Sequence, residues 1–141
     1  MLDCSSGMAD NQQWTFDSSG RIALSSTAAA NSKTSASGSP LCVTIGPGKD
    51  PTHGFPLAQV EACAGDASQQ LKHVDDASST VKNAALDLCL DVSNHDKDDG
   101  APVGFYHCTP GSENEFWTVQ DTPTHNVQLV VKETGKCLTA C

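Results

Sequence analysis

The segment Leu88-Cys89-Leu90-Asp91-Val92 contains a cysteine followed by leucine, and this pair decides the fold because it recurs along the chain. The other copies are Cys42-Val43 and Cys137-Leu138, which lie 47 residues before and 48 residues after Cys89-Leu90. A period in the forties with short apolar segments indicates one supersecondary unit built three times. One such unit cannot bury its apolar face alone, so we expect a fold in which all three copies pack together.

The rest of each unit follows the same period, with a second cysteine and then a triplet of the Gln-x-Trp type. The third copy is split: Cys137-Leu138-Thr139 closes the chain, and the back half opens it. The second cysteines and their triplets are Cys4 with Gln12-Gln13-Trp14, Cys63 with Gln69-Gln70-Leu71, and Cys108 with Glu115-Phe116-Trp117. The Ser/Ala-rich stretch from Ser25 to Pro40 is predicted to be an inserted loop. The split copy lacks the loop that separates the two cysteines elsewhere.

The composition is typical of a small secreted all-β protein. Of the 141 residues, 38% are hydrophobic and 5% aromatic, and Gly, Pro, Ser, Asp and Asn separate short Val/Leu segments. We therefore predict one domain over residues 1–141, built from strands rather than helices. The seven cysteines at repeat positions favour a disulfide framework, and hence an extracellular location, over buried free thiols.

Charge and hydropathy exclude several classes of partner. The net charge of −9 argues against nucleic acid and anionic membrane surfaces. No apolar run approaches the length of a membrane span, so we expect no membrane insertion. Because no secretory leader begins at Met1, we expect the numbering to start in a mature or recombinant chain.

The pattern predicts about four short strands in each repeat, twelve in all, which can close into a barrel and so remove free edges. The predicted strands are 21–24, 41–45, 57–62, 70–74, a stretch after 81, 86–92, 103–107, 115–119, 127–131, 136–139, 2–3 and 14–16.

Together with Phe105-Tyr106-His107-Cys108 and Asn114-Glu115-Phe116-Trp117, the opening segment resembles the repeat of the ricin B-type (R-type) lectins. Three copies in phase with paired cysteines make the resemblance specific, and it covers nearly the whole chain. It implies a β-trefoil fold with up to three shallow galactoside-type sites. It also implies that Trp14 and Trp117 are core residues and that Leu71 replaces the third Trp.

The resemblance implies that the two cysteines of each repeat are bonded, so that Cys89 pairs with Cys108 and Cys42 with Cys63. The third pair is then Cys4 with Cys137, which joins the two ends of the chain. Cys141 is left over: it is free, exchanges with Cys137 for Cys4, or links two molecules.

The repeat spanning residues 80–119 has the groups that a galactose-type site requires. Such a site needs a carboxylate for paired hydroxyls, an aromatic face for the C–H side of the sugar, and an amide that donates and accepts. Here Asp91, Tyr106 and Asn114 supply them, and Tyr106 is the only tyrosine of the chain.

Three further positions belong to the predicted site. Gly104 stands where the family often has a polar side chain, and His107 adjoins Tyr106 at the expected rim. Glu115 replaces the Gln that supports the aspartate in the family. We expect Glu115 to do so only in the protonated form, or else to turn outward or recruit a cation or water, because adjacent carboxylates repel.

The other two repeats lack these groups and are predicted to be scaffold copies. Repeat two has a threonine, an acid and a serine at the three positions, and the split repeat has a threonine and a leucine in place of the acid and the aromatic. These residues are Thr44, Glu61 and Ser68 in repeat two and Thr139 and Leu2 in the split repeat, which keeps Asn11.

Several alternatives compete with the site. Asp91 has a second interpretation as a turn cap that binds backbone N–H groups. The acidic run Asp96, Asp98 and Asp99 lacks the spacing of a calcium loop, and no His pair has zinc-site spacing, so we expect no metal and no cofactor. Asp91 with Glu115 also matches a glycosidase pair, but a shallow site provides no cleft to tune it.

The sequence therefore predicts a non-catalytic lectin for galactose/GalNAc-type glycans. Two alternatives are a trefoil without sugar sites that binds protein, as protease inhibitors do, through the 25–40 and 47–56 loops, and a targeting domain cut from a secreted glycosidase. Because one shallow site binds weakly, avidity needs a larger protein or a homodimer, linked through Cys141 or formed by exchange of the split repeat.

Overall fold

The structure, a computed structural model, describes residues 1–5, 9–25 and 40–140. These residues form ten antiparallel strands and four short 3-10 helices. The strands are β1 Trp14–Phe16, β2 Ile22–Leu24, β3 Leu41–Lys49, β4 Pro56–Ala62, β5 Lys72–His73, β6 Val81–Asn83, β7 Leu88–Val92, β8 Val103–His107, β9 Trp117–Asp121 and β10 Val127–Val131. The 3-10 helices are Asp10–Gln12, Ala67–Gln69, Ser93–His95 and Glu113–Glu115. The prediction of an all-β fold is confirmed.

All ten strands belong to one curled sheet in the order β5-β6-β7-β8-β4-β3-β2-β1-β10-β9. Its two ends meet, because Thr80, just before β6, pairs with Phe116, just before β9, and the Trp117 N–H donates to the Ser79 carbonyl at 2.8 Å. This closure covers the edges that an open sheet would expose. The step from β8 to β4 joins repeat three to repeat two through the pair Leu57 and Gly104.

The count of twelve strands was wrong in the split repeat. The predicted strands 2–3 and 136–139 are only single bridges, in which Cys137 pairs with Leu2 and with Val130. The physical reason is the missing loop, which leaves these segments too short to build a ladder.

One of the two predicted loops also differs from its prediction. β3 runs on past Ile45 to Lys49 through an irregular stretch, so the predicted 47–56 loop is a tight turn. The predicted 25–40 loop lies almost wholly outside the described residues.

The core takes equivalent residues from each copy. Trp14, Leu71 and Trp117 are all at most 2% exposed. The Trp14 indole donates to the Leu138 carbonyl at 3.1 Å, and the Trp117 indole donates to the Leu90 carbonyl at 2.9 Å. Each acceptor directly follows the first cysteine of its repeat, so the triplet tryptophans fasten equivalent backbone positions.

The three expected disulfides are present: Cys4–Cys137, Cys42–Cys63 and Cys89–Cys108. The second and third close loops of 21 and 19 residues, each worth about 3 kcal/mol in the chain-entropy estimate, and the first spans 133 residues, for about 5 kcal/mol. Cys141 lies outside the described residues. Within the described ranges, no helix has both the length and the apolar character needed to cross a membrane.

Candidate functional site

The first residue of each triplet holds the same backbone group in all three copies. The backbone N–H of the residue after the second cysteine donates to the side-chain oxygen of this first triplet residue. Ser5 donates to Gln12 at 2.9 Å, Ala64 to Gln69 at 2.6 Å, and Thr109 to Glu115 at 2.8 Å. Glu115 therefore preserves the acceptor function of the glutamine that it replaces.

The donor function of that glutamine is preserved in only two copies. Gln12 donates to the Thr139 hydroxyl at 3.1 Å, and Gln69 donates to the Thr44 hydroxyl at 2.9 Å. In repeat three the same two positions are Glu115 and Asp91, so a carboxyl pair replaces an amide and a hydroxyl. Glu115 is 1% exposed and Asp91 is 7% exposed, which rules out an outward-turned Glu115.

This carboxyl pair holds a proton near neutral pH. Burial raises the pKa of Asp91 to about 7, and the negative charge of Glu115 and its hydrogen bond with Asp91 contribute to the rise. Burial also raises the pKa of Glu115, against the opposing effect of the Thr109 N–H and of its hydrogen bond with Asp91. The shared hydrogen bond thus favours a protonated Asp91 that donates to an ionised Glu115. A protonated Glu115 was one of three alternatives predicted from the sequence; burial and the shared hydrogen bond favour the proton on Asp91 instead.

Asn114 connects the acid to the backbone and leaves one polar atom unsatisfied. Its Nδ2 donates to Asp91 Oδ2 at 2.8 Å and to the Val92 carbonyl at 3.1 Å. In the split repeat, Asn11 donates to the equivalent carbonyl of Ala140 at 3.1 Å, so this backbone contact is a scaffold feature. Asn114 Oδ1 is buried and has no donor among the described residues. A buried acceptor without a donor costs about 1–3 kcal/mol.

These groups line a cleft with a volume of about 140 Å3. Five of the six predicted residues contribute to its lining: Asp91, Gly104, Tyr106, Asn114 and Glu115. His107 lies beside the cleft rather than in its lining, as strand alternation after Tyr106 requires.

The sequence interpretation missed the side of the cleft that another repeat supplies. Asp50, His53 and Phe55, from the turn between β3 and β4, and Pro56, the first residue of β4, also line it. These residues are about 50 positions from Tyr106 in the chain, and only the pairing of β4 with β8 brings them together. The one available signal was Gly104, whose missing side chain leaves room for a neighbour.

The hydrogen bonds of Asp91 do not match the turn-cap alternative. Among the described residues its hydrogen-bond partners are the Asn114 and Glu115 side chains, and no backbone N–H donates to it. Asp50, by contrast, accepts from the Phe55, His53 and Thr52 backbone N–H groups at 2.9, 3.0 and 3.3 Å.

The acidic run at 96–99 forms local contacts. The Asp98 N–H donates to Asp96 at 3.0 Å, and Asp99 is paired with Lys136. Within the described part of the chain, no group of three or more His, Cys, Asp and Glu side chains is arranged to hold a metal.

A second, larger hollow of about 450 Å3 lies between apolar residues that include Met1, Val43, Val103 and Leu138. Among the described residues, its lining has no Asp, Glu, His, Lys or Arg. It therefore lacks the charged acceptor that a galactose-type site needs.

Comparison with known proteins agrees with the threefold pattern. Residues 33–141 match the model of the ricin-type β-trefoil lectin domain. The chain belongs to this family. No curated protein sequence matches significantly.

Two solved structures show the fold of this lectin domain. One is the designed three-fold symmetric protein ThreeFoil, with a TM-score of 0.61 and 22% identity over 70% of each chain. The other is a PSL1a complex, with a TM-score of 0.56 and 20% identity over 74% of this chain and 37% of that one. The predicted β-trefoil is therefore confirmed.

Family membership supports carbohydrate binding in general by a domain that is itself non-catalytic. The three disulfides of this lectin domain are consistent with an extracellular protein.

Proposed function

We propose that this domain binds glycans ending in galactose or N-acetylgalactosamine, in the cleft of the repeat spanning residues 80–119. Asp91 accepts hydrogen bonds from a pair of ring hydroxyls, the Tyr106 ring stacks on the C–H face of the sugar, and Asn114 provides the amide. Gly104 and Glu115 line the cleft, and His107 stands beside it.

Two observations support this proposal: Asp91, Tyr106 and Asn114 line one cleft, and Asn114 Oδ1 has no hydrogen-bond donor among the described residues. A sugar hydroxyl is both donor and acceptor, so it can relieve a buried acceptor that the protein leaves without a donor. In repeat two the equivalent of the Tyr106 position is Glu61, an exposed acid that offers no ring.

The carboxyl pair gives this site a dependence on protonation. An ionised Asp91 accepts two hydroxyl hydrogen bonds, and charged acceptors form stronger hydrogen bonds than neutral ones. With a pKa of about 7, only part of the Asp91 population is ionised at neutral pH. The site therefore strengthens as pH rises through 7.

A single shallow site is expected to have a millimolar dissociation constant, about −4 kcal/mol. Useful avidity then comes from attachment to a larger protein or from a homodimer, linked through Cys141 or formed by exchange of the split repeat. Ultracentrifugation with and without reductant distinguishes the Cys141 link from exchange.

Calorimetric or saturation-transfer NMR titration with methyl β-galactoside and N-acetylgalactosamine at pH 8 tests the proposal. Tyr106→Ala is expected to lose most of the affinity because it removes the stacking face. Glu61→Ala, the matched change in repeat two, is the control and should bind like the wild type. Absence of wild-type binding, or equal binding by Tyr106→Ala, would reject the proposal.

A further inference from the structure

The turn between β3 and β4 approaches the cleft because residue 104 is a glycine. A Cβ built on Gly104 would lie 2.7 Å from the Pro56 carbonyl oxygen and 3.4 Å from Leu57 Cα. Contacts under 3.0 Å are essentially never found for real Cβ atoms. The neighbouring atom here is a backbone oxygen, which cannot move away by a side-chain rotation. Gly104 thus allows a strand of repeat two to form one side of a site in repeat three.

Internal hydrogen bonds fix this turn. Asp50 is 7% exposed and accepts three backbone N–H groups, from Thr52, His53 and Phe55. The Asp50 N–H in turn donates to the Phe55 carbonyl at 2.9 Å. These bonds fix the backbone that carries His53 and Phe55, and His53 Nδ1 lies 3.4 Å from Asp50 Oδ2. Such preorganisation of the turn reduces the entropy lost on binding.

The turn brings two more rings to the ring of Tyr106. The Phe55 centroid lies 4.4 Å from that of Tyr106 with the planes at 60°, and the His53 centroid lies 5.7 Å away at 73°. Edge-to-face pairs of this kind are favourable and hold Tyr106 in place. The His53 side chain is itself 46% exposed, so its ring is available at the rim of the cleft.

The size of the cleft determines what His53 can contact. A volume of about 140 Å3 is below the roughly 300–1,000 Å3 of pockets that enclose a whole ligand. One sugar unit at Asp91 and Asn114 fills such a cleft, so a second unit has to lie on its rim. On the repeat-two side, the rim has an imidazole that can stack on a sugar and exchange hydrogen bonds with its hydroxyls.

We propose that His53, on the β3–β4 turn, forms a second subsite, so that the domain selects glycans of at least two units over a terminal monosaccharide. This inference rests on the proposed function of the cleft. The site is then composite: repeat three binds the terminal sugar and repeat two binds the next one.

The test compares methyl β-galactoside with galactose-terminated disaccharides of β1-3, β1-4 and α1-3 linkage, titrated at pH 8 into the wild type and His53→Ala. We expect the wild type to bind at least one disaccharide about three- to tenfold more tightly than the monosaccharide. His53→Ala should lose this gain, so that its affinities for the disaccharide and the monosaccharide agree within about twofold. Thr52→Ala is the matched control, because Thr52 lies in the same turn without lining the cleft.

Three results would overturn the subsite: no linkage improving on the monosaccharide in the wild type, the same gain in His53→Ala, or parallel loss of both ligands in His53→Ala. These results differ from failure of the proposed function, in which the wild type binds none of the sugars and both proposals are rejected.

Discussion

Asp91 and Glu115 are two carboxyl groups in direct hydrogen-bond contact, at positions where the other two repeats have a threonine and a glutamine. A neutral Gln–Thr pair needs no proton from solvent, whereas two buried carboxyls need one to avoid repulsion. The repeat that has the acid proposed to bind the sugar therefore also has a titration near pH 7.

Replacing Glu115 with glutamine should move this titration to lower pH. The amide can donate to an ionised Asp91 as Gln69 donates to Thr44, so the pKa of Asp91 should fall well below 7. If binding requires ionised Asp91, Glu115→Gln should bind methyl β-galactoside about tenfold more tightly than the wild type at pH 6 and almost equally at pH 8.

NMR titration at the two pH values measures this ratio. Gln69→Glu, which makes the reverse change in repeat two, is the control and should leave sugar binding unaltered. An unchanged pH profile in Glu115→Gln would show that the carboxyl pair does not control binding.

The same pair should make the wild type less stable as pH rises. Folded Asp91 keeps its proton up to about pH 7, whereas unfolded Asp91 loses it near pH 4, so unfolding releases a proton between these values. The free energy of unfolding should therefore fall by about 2–3 kcal/mol between pH 5 and pH 8 through this group.

Urea unfolding of the wild type and Glu115→Gln at both pH values isolates this contribution, because all other titratable groups are the same in the two proteins. The free energy of unfolding of Glu115→Gln, relative to that of the wild type, should increase as pH rises. A difference that is the same at pH 5 and pH 8 would be incompatible with a raised Asp91 pKa.

Gly104→Ala should destabilise the protein by about 1–3 kcal/mol, because the new methyl group collides with the Pro56 carbonyl. Thermal unfolding measures the loss. Gly65→Ala is the matched control, since a Cβ there meets no atom of the described residues within 4 Å. Equal unfolding temperatures for the two variants would show that β4 does not approach β8 closely at Gly104.

The disulfide that joins the ends of the chain should contribute most to stability. Replacing both Cys4 and Cys137 with serine removes a closure of 133 residues, worth about 5 kcal/mol, against about 3 kcal/mol for the Cys42–Cys63 pair of 21 residues. Denaturant unfolding of the two double variants compares them, and an equal or reversed order would contradict the chain-entropy account.

A thiol titration of the denatured wild type tests the pairing itself. With three disulfides it should detect one thiol, from Cys141, or none if Cys141 links two chains. Three or more thiols would be incompatible with this set of bonds.

The repeat could be predicted from the sequence because each copy contains its own recurring motifs. Cysteines, triplets and the Cys-Leu pair recur at fixed spacing, and the burial of Trp14 and Trp117 follows from them. The acid and its amide partner are also local to repeat three, so Asp91 and Asn114 could be placed from one repeat alone.

The missed features depend on contacts between repeats. His53 and Phe55 reach Tyr106 only through the pairing of Leu57 with Gly104, which no periodicity within one repeat encodes. The position of the proton likewise depends on burial, which cannot be read from the identity of two acids. The lost strands of the split repeat depend on a loop that this copy lacks.

The most direct test of the site is a two-dimensional 15N–1H NMR titration of the wild type at pH 8 with a galactose-terminated disaccharide. Shift changes should be concentrated at Asp91, Tyr106 and Asn114, and at His53 for the second sugar unit, with none at the equivalent Thr44, Glu61 and Ser68. Saturable changes centred on Thr44, Glu61 and Ser68 or on the split repeat, or no changes at millimolar sugar, would contradict the proposed site.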